Sequence, residues 1–450
     1  MNRICTATGR ERVFLTIRFK QTRSQPIAAL IRCLLVAVFL LSWCQPLLAQ
    51  TMSFAHPLDP LSKDEITLAA KVLRDAGKAT AASRFQTIVL NEPPKEEVLG
   101  FKPGEAFRRE AFVIVYEREA NRTFDGVVDL KTKAIKTWRE VPGVQPSFMF
   151  EDVLIVQSAV RSNPEWQAAM RKRGITEFGK VQIEPWPAGN YGFKDEEGIR
   201  LIRAISYFRG DSKMPYAHPV EGVVAVVDLN KKRVLKLIDA GVVPVAKADF
   251  DIDETSVEKA WGKLREAPKP LHVVQPGGAS FEIRGNEIRW QKWRFRYALH
   301  PREGLVLYTV GYEDGGKVRS VLYRGSLSEM VVPYGDPSEG WFFRNAFDEG
   351  EAMVGSLALP LVERTDVPEN ATLLGAVRSS ESGSAFEAKN VVGLYERDGG
   401  VLRPARFRRG RLRVSRRRDR RGAEGLRGRR SAHLRARPQQ RRLHGVSPGL

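Results

Sequence analysis

Cysteine is almost missing from this 450-residue chain: Cys5, Cys33 and Cys44 all lie in the first 50 residues. Beyond them there is no thiol. That excludes a disulfide framework, a cysteine-ligated zinc site and a cysteine nucleophile from the remainder. Histidine is equally sparse, at His56, His218, His272, His300, His433 and His444, and no two are separated by a single residue. The apolar run Cys33–Trp43, broken only by Ser42, is too short for a comfortable membrane span. The middle of the chain also has no charge excess. The formal net charge is +20, but residues 1–50 carry +6, residues 401–450 carry +16, and the 350 residues between them carry −2. The body is not a basic protein, so its composition supports neither nucleic-acid nor membrane binding.

Residues 1–50 read as an export signal. Arg12, Arg18, Lys20, Arg23 and Arg32 precede the apolar run, and Leu47-Leu48-Ala49 resembles a cleavage site. The expectation is an exported, periplasmic protein without stable membrane insertion. An uncleaved anchor is the alternative.

The chain has 42% apolar residues and 9% aromatics, as expected of a globular protein. Ser62-Lys63-Asp64-Glu65 is a capping box, followed by Ile66, Ala69, Ala70, Leu73 and Ala76 at helical spacing, with Gly77 at the stop. Strands are expected at Phe85–Leu90, Ala111–Glu117, Gly126–Leu130 and Ala134–Trp138. The plan then recurs, with helices at Glu151–Ala159 and Glu165–Arg173 and strands at Val181–Trp186, Ile199–Phe208 and Val223–Leu229. Val127-Val128-Asp129-Leu130 returns as Val226-Val227-Asp228-Leu229, an offset of 99 residues. Ala267–Ser280 reads as a linker. Beyond it the pattern is β only, with Phe281–Arg284, Glu287–Trp293, Leu305–Tyr312 and Val318–Tyr323 as strands. The fold class is therefore α+β and all-β. An export signal (1–50) precedes two duplicated small α+β domains (51–148 and 149–266), the start of a large β-sandwich domain (267–402) and an arginine-rich tail (403–450).

Four segments of the third region carry a resemblance: Trp290-Gln291-Lys292-Trp293, Arg302-Glu303-Gly304-Leu305-Val306-Leu307, Tyr323–Met330 and Val332-Pro333-Tyr334-Gly335-Asp336-Pro337. In order and spacing they resemble the copper amine oxidase family. Asp366–Asn370, Val392–Asp398 and the opening His56–Leu61 extend the likeness from about His56 to about Leu402. The resemblance implies a β-rich homodimer that oxidises primary amines with oxygen, using copper and a topaquinone made from one of its own tyrosines. It implies that Asp348, in Asn345–Glu351, is the catalytic base, in an apolar setting from Trp341, Phe342, Phe343 and Phe347. It also implies that Tyr334, fourteen residues earlier, is catalytic and binds the quinone cofactor. The family usually has an aromatic residue where Ala352 stands. Asn190-Tyr191 is rejected as the quinone precursor, because Gly192 follows where the family has an acid, and is read as a turn. The family's His-x-His copper pair is absent from these 450 residues, so no metal ligands are assigned.

The tail holds eighteen of the arginines in residues 401–450 and shows no sustained strand or helix period. A shifted reading frame accounts for that composition. A polyanion-binding tail on a non-catalytic exported binding protein and a solvated tail are the alternatives. The expectation is a truncated, inactive amine oxidase for which no nucleic-acid partner is expected.

Overall fold

The computed structural model describes residues 56–247, 251 and 253–397. The leader, with all three cysteines, and the tail, with His433 and His444, lie outside the described residues. The chain divides into two units, one ending at Glu396 and one beginning at Arg397. Every described helix and strand belongs to the first.

Helix α1 (Lys63–Asp75) starts as its sequence requires. The Ser62 hydroxyl accepts from the Glu65 N–H, and the Glu65 carboxylate accepts from the Ser62 N–H. Strands β1 (Arg84–Leu90), β2 (Glu110–Glu117), β3 (Arg122–Asp129) and β4 (Ala134–Glu140) form an antiparallel meander, with the short helix α2 (Lys95–Gly100) between β1 and β2. Ile66, Ala69, Ala70 and Leu73 of α1 pack on Phe85, Ile88, Val113 and Val115. The second domain repeats the plan. Helices α3 (Phe150–Arg161) and α4 (Pro164–Lys172) precede the meander β5 (Val181–Pro187), β6 (Leu201–Phe208), β7 (His218–Asp228) and β8 (Arg233–Asp239).

The duplication extends to single hydrogen bonds. Asp129 Oδ1 accepts from the N–H groups of Lys131 and Thr132, and Asp228 Oδ1 from those of Asn230 and Lys231. Lys133 and Lys232, again 99 residues apart, both take a left-handed conformation. An aspartate that ties down the following backbone lets the chain turn at fixed register, so the repeat in sequence is a repeat in turn geometry.

Strand β7 shows why Val223–Val227 is a continuous apolar run. Val223, Ala225 and Val227 join the helix-covered core, whereas Val224 and Val226 pack on the opposite face with Phe343. A strand covered on both faces carries apolar residues at every position.

Helix α5 (Glu254–Trp261), not among the expected elements, has no buried residue. The third region then forms a five-stranded meander of β9 (Phe281–Arg284), β10 (Glu287–Trp290), β11 (Trp293–His300), β12 (Gly304–Asp314) and β13 (Lys317–Gly325). The expected strand Glu287–Trp293 is thus two strands. Gln291 adopts φ 53° and reverses the chain, so Trp290 pairs with Trp293. Two ribbons follow, β14 (Val331–Pro333) with β15 (Asn345–Phe347), and β16 (Thr372–Ser379) with β17 (Ala385–Leu394). The short helix α6 (Val354–Leu357) lies between β15 and β16.

The β16–β17 hairpin tip is wedged against both small domains. The Phe85 N–H donates to the Glu381 carbonyl at 2.8 Å. Gly383 lies so close to α1 that an added Cβ would meet Ala70 and Phe85 at 2.8 Å. The Glu381 carboxylate accepts from the Phe150 and Glu151 N–H groups and so caps α3 from outside its own domain. Burial, with the charges of Asp152 and Glu151, raises the pKa of Glu381, outweighing the two backbone N–H groups. A raised acid contributes stability in its neutral form below its ordinary range and loses it as pH rises through the raised value. Glu381→Gln keeps an acceptor without the charge. It is expected to raise the thermal midpoint by about 2 °C at pH 8 and to give no gain at pH 4. A lower midpoint at pH 8 would show that the charge itself holds the cap.

Candidate functional site

The β14–β15 ribbon positions both residues singled out in the sequence. Val331 pairs with Phe347, Val332 with Ala346 and Pro333 with Asn345. Tyr334 follows one strand, and its N–H donates to the Arg344 carbonyl at 3.4 Å. Asp348 follows the other, and its N–H donates to the Met330 carbonyl at 3.0 Å. The register sets them at opposite ends of the ribbon, Tyr334 past one strand and Asp348 in the turn past the other. The described structure does not bring them into direct contact.

Tyr334 is 51% exposed. Its ring meets Trp186 edge-on at 5.6 Å and lies 6.0 Å from Trp341. The Arg344 guanidinium sits 3.4 Å over the Trp341 ring. The aromatic residues expected around Asp348 are directed elsewhere. Phe342 and Phe343 pack on the second small domain and against Arg203, while Phe347 is exposed.

Asp348 opens a wide π-helical turn, Asp348–Ala352, with three more carboxylates at hand. Glu349 is fully buried. The Glu329 side chain accepts from the N–H groups of Glu349 at 2.9 Å, Met330 at 3.2 Å and Gly350 at 3.3 Å. Burial pushes the Glu329 carboxyl up, but these donors hold it below the usual carboxylate range. Glu351 behaves oppositely. Burial raises it, and the neighbouring Glu329 and Asp348 charges add to the rise despite one N–H from Phe347. Sequence reading missed Glu329 and Glu351. Three acids within Asp348–Glu351 were the available signal, but only folding shows which are desolvated. Glu351 and Gly350 border a cavity of about 1010 Å³ with Ser147, at the end of the first domain, and Tyr191 and Arg200 of the second.

Asn190-Tyr191, expected as a turn, lies in an irregular segment just before a turn at 194–198. Asn190 Oδ1 accepts from the Gly192 N–H, and the Tyr191 ring packs edge-on against Phe342 at 5.0 Å. The described histidines are dispersed. His56 Nδ1 accepts from the Leu58 N–H, and burial lowers its pKa to about 4. His218 Nδ1 lies 3.0 Å from the Phe208 carbonyl, and His272 Nδ1 lies 2.8 Å from Glu369. His300 Nδ1 accepts from the Arg302 and Glu303 N–H groups. Among the described residues no three His, Cys, Asp or Glu side chains are grouped to hold a metal. These residues do not fit a copper site, and Tyr191 does not fit a quinone precursor, so no chemical step is derived through either group. No described helix is long and apolar enough to cross a membrane.

Residues 56–141 match the family model "Copper amine oxidase, N2 domain", 151–261 match "Copper amine oxidase, N3 domain" and 282–421 match "Copper amine oxidase, enzyme domain". The last match runs past the Leu402 limit drawn from the motifs. The chain is 37% identical over 350 residues to a primary amine oxidase of Arthrobacter sp. (strain P1), covering 77% of this chain and 53% of that protein. It is 35% identical over 353 residues to a primary amine oxidase of Klebsiella aerogenes, covering 77% and 45%. The chain thus spans about half the length of the curated relatives it matches. Among solved structures it resembles a copper-containing benzylamine oxidase from Hansenula polymorpha, with a TM-score of 0.65, 27% identity, and 77% and 56% of the two chains covered. A lysyl oxidase from Pichia pastoris shares the fold at a TM-score of 0.56 and 16% identity, with 74% and 52% covered. Two matched small domains, followed by a β-rich third region with the family's motifs in order, place this chain in the copper amine oxidase family.

Proposed function

We propose that this chain supplies one portion of an exported enzyme that oxidises primary amines: amine, oxygen and water give aldehyde, ammonia and hydrogen peroxide. We further propose that the 450-residue polypeptide alone does not turn amines over. The observation that carries this reading is the β14–β15 ribbon. It carries Tyr334 at one end and Asp348 at the other, with desolvated carboxylates beside Asp348. In this reading Asp348 would accept the substrate's α-proton, and the Tyr334 phenol would be a neutral hydrogen-bond donor to a quinone that these residues do not themselves supply. Glu351 and Glu329 flank the base and shape its electrostatic surroundings. The absence of a His-x-His pair from the 450 residues supports inactivity of the chain by itself.

The purified 450-residue chain, incubated with Cu(II), oxygen and methylamine or histamine, is expected to form no peroxide above a protein-free control. Sustained copper-dependent peroxide production would overturn the claim of inactivity.

A further inference from the structure

One face of the five-stranded sheet carries two rows of residues paired across its strands. The first row is Arg284, Glu287, Arg296, Tyr308 and Arg324. Its cations are met: Arg284 by Glu282 at 2.8 Å, Arg296 by Asp59 and by Glu287 at 3.6 Å, and Arg324 by Glu92 and Glu303. The second row is Glu282, Arg289, Arg294, Gly311 and Ser320. Strand β12 bulges between the rows, with Thr309 at φ 48°, so Tyr308 and Gly311, three residues apart, serve the same face.

In the second row Arg289 stands directly opposite Arg294. Like charges so placed repel, which destabilises the pair unless an anion lies between them. Arg289 Nε reaches Glu287 at 2.6 Å, but no described residue forms an ion pair or hydrogen bond with the Arg294 side chain. Gly311, next to Arg294 in the row, has no side chain, and an added Cβ would meet Arg294 Cγ at 3.8 Å. The Arg294 stem is thus seated on the sheet, while its guanidinium is free.

The row borders a cavity of about 1210 Å³, with Leu99 and Phe101 of the first domain and Val377 of β16 on other sides. Three acids line it, and each meets a cation: Asp59 with Arg296, Glu287 with Arg289, and Glu387 with Lys63 at 3.5 Å. His56 lines it too, but burial lowers its pKa to about 4, so it adds no charge at neutral pH. The cation left over is Arg294.

We propose that Arg289 and Arg294 form a binding site for a phosphate group in this cavity. Two planar guanidinium groups on adjacent strands offer paired N–H donors to its oxygens, and the Ser320 hydroxyl, at the end of the row, adds another. The anion turns a like-charge conflict into a clamp.

The test titrates the full 450-residue chain with inorganic phosphate and, in parallel, phenyl phosphate, against sodium chloride of equal ionic strength. At about ten times the dissociation constant either phosphate is expected to raise the thermal midpoint by about 2 °C. Amide exchange in β10 and β11 is expected to slow about fivefold. A lower half-point for phenyl phosphate assigns Leu99 and Phe101 to the body of an organic phosphate, and equal half-points assign the site to the free ion. Arg294→Gln is expected to keep or raise the midpoint in chloride, since it loses no partner and relieves Arg289, and to abolish the phosphate shift. Arg139→Gln removes the same charge from an exposed pair with Asp125 and is expected to retain the shift. The arginine-rich tail is identical in all three proteins. No shift in the parent overturns the proposal. An equal shift in Arg294→Gln also overturns it, by placing the anion elsewhere, such as on the tail. So does loss of the shift in Arg139→Gln, by making net charge the cause. A lower midpoint for Arg294→Gln in chloride counts against it as well, because Arg294 then has a structural partner.

Discussion

Replacing Asp152 by alanine is expected to destabilise the chain by about 4 kcal/mol. Asp152 is 1% exposed. Its carboxylate lies 2.7 Å from Arg118 Nη2 and 2.7 Å from Arg200 Nη2, and it also accepts from the Met149 N–H at 2.9 Å. Arg118 follows β2 of the first domain, Asp152 opens α3, and Arg200 precedes β6. Both guanidinium groups also flank Tyr116, with centroid distances of 5.8 and 4.9 Å. Removing the acid leaves buried Arg200 without a counter-ion and Arg118 with only Glu151 at 3.2 Å, and an uncompensated buried charge costs far more than the intact pairs contribute. The triple replacement Arg118→Met/Asp152→Leu/Arg200→Met should therefore fall within about 1 kcal/mol of the parent, because it removes the charges together. Urea titration followed by tryptophan fluorescence measures both. A loss below about 1 kcal/mol for the single variant would mean that water, not Asp152, satisfies these arginines.

The second large effect is expected at Arg324, which joins the first domain to the five-stranded sheet. Its Nε lies 3.1 Å from each Glu92 oxygen, and its Nη1 and Nη2 pair with Glu303 at 2.8 and 3.0 Å. The Tyr308 hydroxyl donates to Glu92 at 2.7 Å. Arg324→Met leaves two partly buried carboxylates side by side without a cation and is expected to cost about 3 kcal/mol. The pH dependence gives an independent check. Burial pushes Glu303 up, but the Arg324 and Ser326 bonds outweigh it and lower the carboxyl to about 2. A depressed acid contributes stability above its unfolded pKa and loses it as pH falls through the folded value. Between about pH 4.5 and 2 the parent should lose about 2 kcal/mol from this group, discounted for partial exposure, and the Arg324→Met variant should not. Parallel acid-unfolding curves for the two proteins would refute the assignment.

Both sites were invisible in the sequence, and for one reason. A run of residues shows that Asp152 or Arg324 is charged, but not that a distant segment has removed its water. Local features were legible because their causes are local. The Ser62–Glu65 box needs only four residues, and the Asp129 and Asp228 turns need only the backbone that follows each. The Trp290–Trp293 turn was hidden because its flanking tryptophans read as continuous strand, whereas the reversal lies in the left-handed backbone of Gln291. Helix α5 was missed because it is only eight residues long and buries no face, so Val257, Ala260 and Trp261 make too short a pattern to stand out. At the candidate site, Asp348 and Tyr334 were found through motif likeness. Their separation depends on ribbon register, and the outward packing of Phe342 and Phe343 depends on a sheet more than a hundred residues earlier in the chain.

The hairpin tip at Glu381 has a consequence for the order in which the chain is built. Each small meander pairs strands adjacent in sequence, so each can close soon after it leaves the ribosome. The cap that Glu381 supplies to Phe150 spans 231 residues. Until that residue is synthesised, α3 has folded neighbours but no external carboxylate at its first turn. The two small domains are already joined through Arg118, Asp152 and Arg200, and the late arrival of one hairpin adds a second fastening between them.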